Sequence, residues 1–276
     1  VIIGSTDGSR MHATSPAYAR LAAAYPRLRV GEGEPRTGGG WVGAWELAAG
    51  GDALSAFAGA ERERLEREYG RRPRADVAAA LALHRYAWPA CLLFTVPWFL
   101  HRRVPRLPVA DVALHPAGGR MTVRTRSFAC LPGDPAAAAE GARVLSGEAA
   151  LRDELRAALA EHLTPLLDAF GPLTRRGPRA LWATATDEIT EGLWRVAGLM
   201  GRAERAVADL SALLPGGTAP YAGGAGFRRT TAPAGGGCDR ARLTCCLFYT
   251  VSPDRFCTSC PRGTESDRIG RRASAA

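Results

Sequence analysis

Four of the seven cysteines crowd the C-terminal end of the 276-residue chain, spaced Cys245-Cys246-x10-Cys257-x2-Cys260. Four thiolates brought together by local spacing point first to a metal site. Cys257-x2-Cys260 is a chelating turn able to place two sulfurs on one metal. The vicinal pair is less usual, because neighbouring side chains in an extended segment point to opposite sides. Structural zinc usually draws its ligands from two knuckles of C-x2–4-C spacing, whereas a two-iron cluster offers two metal atoms to four thiolates. Spacing alone leaves an iron–sulfur cluster, a zinc knuckle, a vicinal disulfide and unligated thiols open, with the cluster favoured.

The vicinal pair, the ten-residue spacer, the closing C-x2-C and the chain-terminal position together resemble the FhuF-like ferric siderophore reductases. Arg242, the run Cys245-Cys246-Leu247-Phe248-Tyr249 and Pro261 are similar to that family's terminal segment. Leu181-Trp182 and the amphipathic helix after it resemble its helical body, and the resemblance spans residues 75–262. It implies a [2Fe-2S] cluster held by Cys245, Cys246, Cys257 and Cys260, and an iron–sulfur oxidoreductase that passes one electron to siderophore-bound ferric iron. The implied substrate is a ferric siderophore of the hydroxamate class, released as ferrous iron, with a separate and unidentified electron donor. Contact with the inner face of the cell membrane or with a siderophore importer is a further expectation. The rival readings are a zinc-stabilised binding module for nucleic acid and a siderophore-associated protein whose cluster is structural.

The net charge is +9 and every basic residue is arginine. Such a surplus suits anion recognition, nucleic acid or an acidic membrane surface. No helix carries a dense arginine stripe and no nucleic-acid fold signature is present, so nucleic acid is not the expected partner. The odd cysteine count and the lack of a charged-then-apolar leader point to a reducing, cytoplasmic setting.

The fold class expected is α+β, mainly α: a helical body with a small antiparallel β-hairpin and a C-terminal cysteine-rich segment. Residues 1–72 read as an N-terminal helical and linker region. Ser15-Pro16 starts a helix there, with Tyr18, Leu21, Ala22 and Tyr25 on one face. Residues 31–40 read as a loop, and the charge-alternating stretch 61–69 as a solvated helix face capped upstream by Asp52. Residues 73–214 form the body. Its stretch 86–100 is uncharged but interrupted by Pro89 and Pro97, which suits a kinked core helix better than a membrane span; Cys91 is an inert core thiol within it. Residues 109–114 and 121–128 read as a hairpin, with Arg120, Thr122, Arg124 and Arg126 on its solvent face. Leu151, Leu155, Leu159, Leu163, Leu166 and Phe170 stripe one helix, bent at Pro165. Trp182, Ala185, Ile189, Leu193, Val196 and Met200 stripe the next, and Val207, Leu210 and Leu214 mark a shorter one. His162 reads as a satisfied core histidine. Residues 215–237 read as a flexible connector with Phe227 to Thr230 as a docking piece, 238–262 as the cluster-binding segment, and 263–276 as a disordered tail.

Chemistry at the motif needs more than ligands. Two ferric ions, two sulfides and four thiolates carry a net charge of about −2. Arg242, Arg255 and Arg262 are the expected compensating charges, and Leu247, Phe248, Tyr249 and Phe256 the expected apolar cover. Cys91, Cys130 and Cys238 are expected to stay off the cluster. There is no nucleophile elbow, dinucleotide fingerprint or flavin signature, so the expected role is electron relay.

Overall fold

Between Arg85 and Arg102 the chain carries no Asp, Glu, Lys or Arg, and a segment of that kind must bury itself. In the computed structural model, which describes residues 12–230, 237–253 and 259–262, it forms the central helix α4 (Ala75–His101). Around it pack α1 (Ser15–Ala24), α3 (Gly51–Tyr69), α5 (Glu148–Thr174) and α6 (Pro178–Leu199). The helix is long and apolar enough to cross a membrane, but 78% of its apolar window is buried inside the protein. It is a core helix. Pro89 and Pro97 lie within it and do not end it. Each removes one N–H, and burial of Leu92, Leu93, Phe94, Trp98 and Phe99 beside them offsets that loss at about 1.5–3 kcal/mol per side chain.

The hydrophobic stripes read from periodicity face this helix. On α5, Leu151, Leu155, Leu159, Leu163, Leu166 and Phe170 are all buried, and the helix runs on through Pro165. Between α5 and α4 sits His162, whose Nε2 lies 2.8 Å from the Tyr86 hydroxyl and whose Nδ1 lies 2.7 Å from the Leu107 carbonyl. On α6, Ala185, Ile189, Leu193 and Val196 are buried, while Trp182 packs edge-on against Tyr221. The shorter helices α2 (Ala44–Ala49) and α7 (Ala203–Leu213) close the periphery.

Among the described residues three small sheets complete an α+β, mainly α fold. The expected hairpin is present as β4 (Val112–His115) and β5 (Arg120–Val123), with Leu114 opposite Met121. It belongs to a four-stranded sheet with β1 (Arg29–Glu32) and β2 (Val42–Gly43), in the order β1-β5-β4-β2. Part of the presumed 31–40 loop is thus strand, pairing in parallel with β5. The rest of the presumed second hairpin strand joins a separate sheet, where β6 (Ser127–Cys130) lies between β3 (Val104–Arg106) and β7 (Ala142–Val144). The arginine row is not simply solvated: Thr122 is buried, and Arg124 and Arg126 both pair with the buried Asp111. The Thr14 and Ser15 hydroxyls donate to Glu32 rather than capping α1.

The stretch after α7 is docked where the structure describes it. The Tyr221 hydroxyl donates to the Arg156 carbonyl at 2.6 Å, and Ala225 is buried. The docking piece Phe227 to Thr230 is strand β8 (Phe227–Thr230), antiparallel to β9 (Gly237–Arg240), which delivers the chain to the cysteines. The expected tail, 263–276, lies outside the described residues.

Candidate metal centre and its cavity

A helix that buries two adjacent carboxylates needs strong partners, because an unpaired buried charge is costly. Asp187 and Glu188 on α6 are both fully buried. Their partners arrive from the strand and turn that precede Cys245. Asp187 Oδ1 accepts from Arg240 Nη2 at 2.5 Å and from the Leu243 amide at 2.9 Å. Its Oδ2 accepts from the Thr244 amide and hydroxyl, each at 2.9 Å. One carboxylate thereby holds both backbone amides directly before the vicinal cysteines. Glu188 takes Arg242 Nη2 at 2.5 Å and faces His84 Nδ1 at 2.6 Å from α4. Arg240 also reaches Glu191 at 2.8 Å and the Ala225 carbonyl at 2.7 Å.

These neighbours set the titration of the group. Burial pushes the Glu188 carboxyl up, but His84 and Arg242 override it and bring its pKa down to about 2. Burial opposes a charge on His84, and the Glu188 carboxylate more than reverses this, raising its pKa above the ordinary value. Asp187, Glu188 and Glu191 face Arg240, Arg242 and His84 in one ionic network. The network is an electrostatic latch that fixes the cysteine segment on α6.

Sequence periodicity missed the latch. The apolar stripe of α6 points one way, while the acidic pair is satisfied by residues more than fifty positions later. The available signal was the acidic trio Asp187, Glu188 and Glu191 on a helix, with the Arg-x-Arg of Arg240 and Arg242 in the cysteine segment to match it. The expected charge compensation also changes. Arg242 is committed to Glu188 and Arg262 stacks over Tyr249, 4.6 Å from its ring centre. Arg255 and Phe256, with Cys257, lie outside the described residues.

Beyond the latch, the chain turns sharply. Leu247 takes a left-handed backbone conformation (φ 63°), unfavourable for a branched side chain and a kind of strain that gathers at functional sites. Its amide lies 3.4 Å from Cys245 Sγ, and Arg176 holds the Cys245 carbonyl at 2.7 Å. The Arg242 amide donates to the Ser259 carbonyl at 2.9 Å, bringing the far end of the spacer back beside its start. Val251 packs with Leu65, Val77 and Leu81, and Cys246, Leu247 and Phe248 lean on the same cluster. Phe248 meets Tyr69 edge-on. Leu247 and Phe248, two of the four residues expected to cover the cysteines, therefore pack against α3 and α4.

Cys245, Cys246 and Cys260 are brought together. Burial raises the Cys245 thiol above its ordinary value; the Leu247 amide opposes this, while the charges of Cys246 and Cys260 add to it. Among the described residues no three His, Cys, Asp or Glu side chains form a metal site, and Cys257, the fourth thiol of the motif, lies outside those residues; a two-iron cluster takes four thiolates in all. The Arg242 Nε–H is buried without a hydrogen-bond acceptor, and a cluster sulfur is an acceptor of the kind it lacks. The donor set fits the group. Cys91 and Cys130 are buried in the body with raised pKa values, and Cys238 lies on β9 opposite Arg229.

A cavity of about 1000 Å³ opens between α3, α4, α6 and the cysteine segment, and Cys246 is part of its wall. His84, Arg85, Trp88, Arg195 and Phe248 also line it. Glu61 lines it too: it is buried and paired with Arg64 and Arg85, so the alternating-charge part of α3 is not the wholly solvated face its sequence suggests.

Three of the four motif cysteines, Cys245, Cys246 and Cys260, are thus described beside a buried ionic latch, and Cys246 also lines a cavity of ligand size. Residues 242–262 match the family model of the FhuF 2Fe-2S C-terminal domain, which supports a FhuF-like family relationship and is consistent with a [2Fe-2S] cluster. No curated protein matches the chain.

Proposed function

We propose that the protein is a ferric-siderophore reductase of the cytoplasm, with Cys245, Cys246, Cys257 and Cys260 as cluster ligands and ferric hydroxamates as substrates. The reading rests chiefly on one observation: the segment matching the FhuF 2Fe-2S domain presents Cys246 at the wall of a large cavity. When bound, the cluster supplies one-electron transfer. The chain's own part is positional. Asp187 fixes the amides before Cys245, Arg242 ties the segment to Glu188 and to Ser259, and Phe248 and Leu247 cover the turn. Hydroxamate oxygens are hard ligands that hold ferric iron far better than ferrous, so a single electron releases the metal without breaking a covalent bond. The electron enters from a separate one-electron donor.

Anaerobically purified protein should contain two irons and two labile sulfides per chain. Chemically reduced protein mixed with a ferric hydroxamate should reoxidise while a ferrous chelator traps stoichiometric iron, with cluster-free protein as the control. A colourless chain holding one zinc would end this reading. Serine at Cys245, Cys246, Cys257 or Cys260 should bleach or alter the visible spectrum, and serine at Cys238 should not.

A further inference from the structure

The cavity beside Cys246 is charged unevenly. Two carboxylates, Glu61 and Glu191, line it, and both are engaged, by Arg64 and Arg85 and by Arg240. Arg242 is committed to Glu188. Two further arginines of the wall, Arg27 and Arg195, are exposed and have no hydrogen-bond or ion-pair partner among the described residues. Arg27 is presented by a built contact. Gly119 has φ +55° and lies so close beneath that an added Cβ would stand 2.0 Å from the Arg27 carbonyl, so only glycine lets the two loops meet. The Gly119 carbonyl then accepts from the Arg29 amide at 2.9 Å. Tyr25 and Trp88, with ring centres 5.2 Å apart, form an aromatic wall of the same cavity.

We infer that this cavity is the siderophore site and that Arg27 and Arg195 select ferric complexes of net negative charge, namely mixed hydroxamate–carboxylate chelates built on citrate. The inference rests on the reductase reading for the identity of the ligand as a siderophore. The charge logic is elementary. Three hydroxamates neutralise ferric iron, leaving the guanidiniums nothing to attract. Replacing one hydroxamate by an α-hydroxycarboxylate, a dianion through its alkoxide and carboxylate, leaves the complex negative. Guanidinium groups bind carboxylate oxygens in a planar, two-pronged fashion, and the aromatic wall takes the apolar backbone of the chelate. About 1000 Å³ is the upper range of small-molecule sites and suits a bulky complex. Cys246 lines the same cavity, so the electron has a short path from ligand sulfur to bound ferric iron.

Binding is separable from reduction by using gallium(III), which is not reduced. Calorimetric titration of the cluster-loaded protein would compare three gallium complexes: a citrate-centred dihydroxamate (anionic), a cyclic trihydroxamate (neutral) and a linear trihydroxamate with a free ammonium (cationic). The expected order of affinity is anionic, neutral, cationic. The preference for anionic over neutral should weaken with added salt and fall about tenfold in Arg27→Gln/Arg195→Gln. Ala117→Trp, at an exposed cavity residue, should weaken all three by obstruction. Charge-blind affinities, or a preference untouched by the double arginine change, would overturn the inference. A parallel single-turnover assay with the ferric complexes keeps the two readings apart. Reduction that ignores ligand charge sinks the selectivity and leaves the reductase standing. Selective gallium binding without any cluster reoxidation sinks the reductase and leaves the anion-selective site.

Discussion

The molecule holds two histidine-centred polar groups, one buried and one partly exposed, and treats them in opposite ways. In the body, His162 lies between Tyr86 and the Leu107 carbonyl with no charged partner, and burial drives its pKa down to about 4. Against the cysteine segment, His84 meets Glu188 and its pKa rises. The first group is a neutral tie within an apolar interior, formed by helices that would pack there anyway. The second joins fully charged groups across more than fifty residues of sequence. Dry packing suffices where two amphipathic helices meet. The cysteine segment is held by both means: Val251, Leu247 and Phe248 pack on α3 and α4, while charge fixes the stretch just before Cys245.

Cutting the latch should produce the largest effect. Asp187→Ala strands Arg240 and two backbone amides, and loss of one partner of a buried ion pair costs about 3–5 kcal/mol. Leu163→Ala in the body should cost a similar 2–5 kcal/mol through its cavity. Denaturant unfolding would place both on one scale, while visible absorbance would separate them. Asp187→Ala should lose the cluster well before the body unfolds, and Leu163→Ala should keep it. Equal cluster retention in the two variants would dissolve the distinction between the regions.

Acid sharpens the comparison at a somewhat smaller scale. His162 has a folded pKa of about 4, below its unfolded value of about 6.5, so the unfolded chain binds the extra proton first and stability falls as pH drops through that window. The loss reaches about 3 kcal/mol. Glu188 has a folded pKa of about 2, so its contribution is present above its unfolded pKa of about 4.5 and is lost as pH falls toward 2. Unfolding free energy measured against pH should therefore decline in two stages. His162→Phe should flatten the upper stage and Glu188→Gln the lower. The smallest effect concerns His84, whose side chain is 41% exposed. Because its folded pKa is raised, its contribution is present below the unfolded pKa and fades as pH rises through the folded one. His84→Gln should thus be mildly less stable than the parent at pH 6 and indistinguishable from it at pH 9.

What was legible in the sequence follows the same division. The α5 and α6 stripes, the β4–β5 turn and the role of His162 rest on local periodicity or on one satisfied side chain, and the structure reproduces them. The cysteine spacing is local too. Burial of Asp187, Glu188 and Glu61 was not legible, because a carboxylate's neutralising partner can sit anywhere in the chain and periodicity sees only the apolar face. The core-helix reading of the uncharged stretch also holds: α4 runs on through both prolines, because the burial around them outweighs a local propensity to break. The parallel pairing of β1 with β5 joins residues some ninety positions apart, beyond any hairpin signal.

Arg242 touches three things at once. Its amide closes the turn on Ser259, its guanidinium holds Glu188, and it lines the cavity that Cys246 also lines. A residue shared in this way gives cofactor loading and ligand binding a common coupling free energy. Reciprocity then requires that whatever factor cluster loading adds to ligand affinity, bound ligand adds to the protein's hold on its cluster.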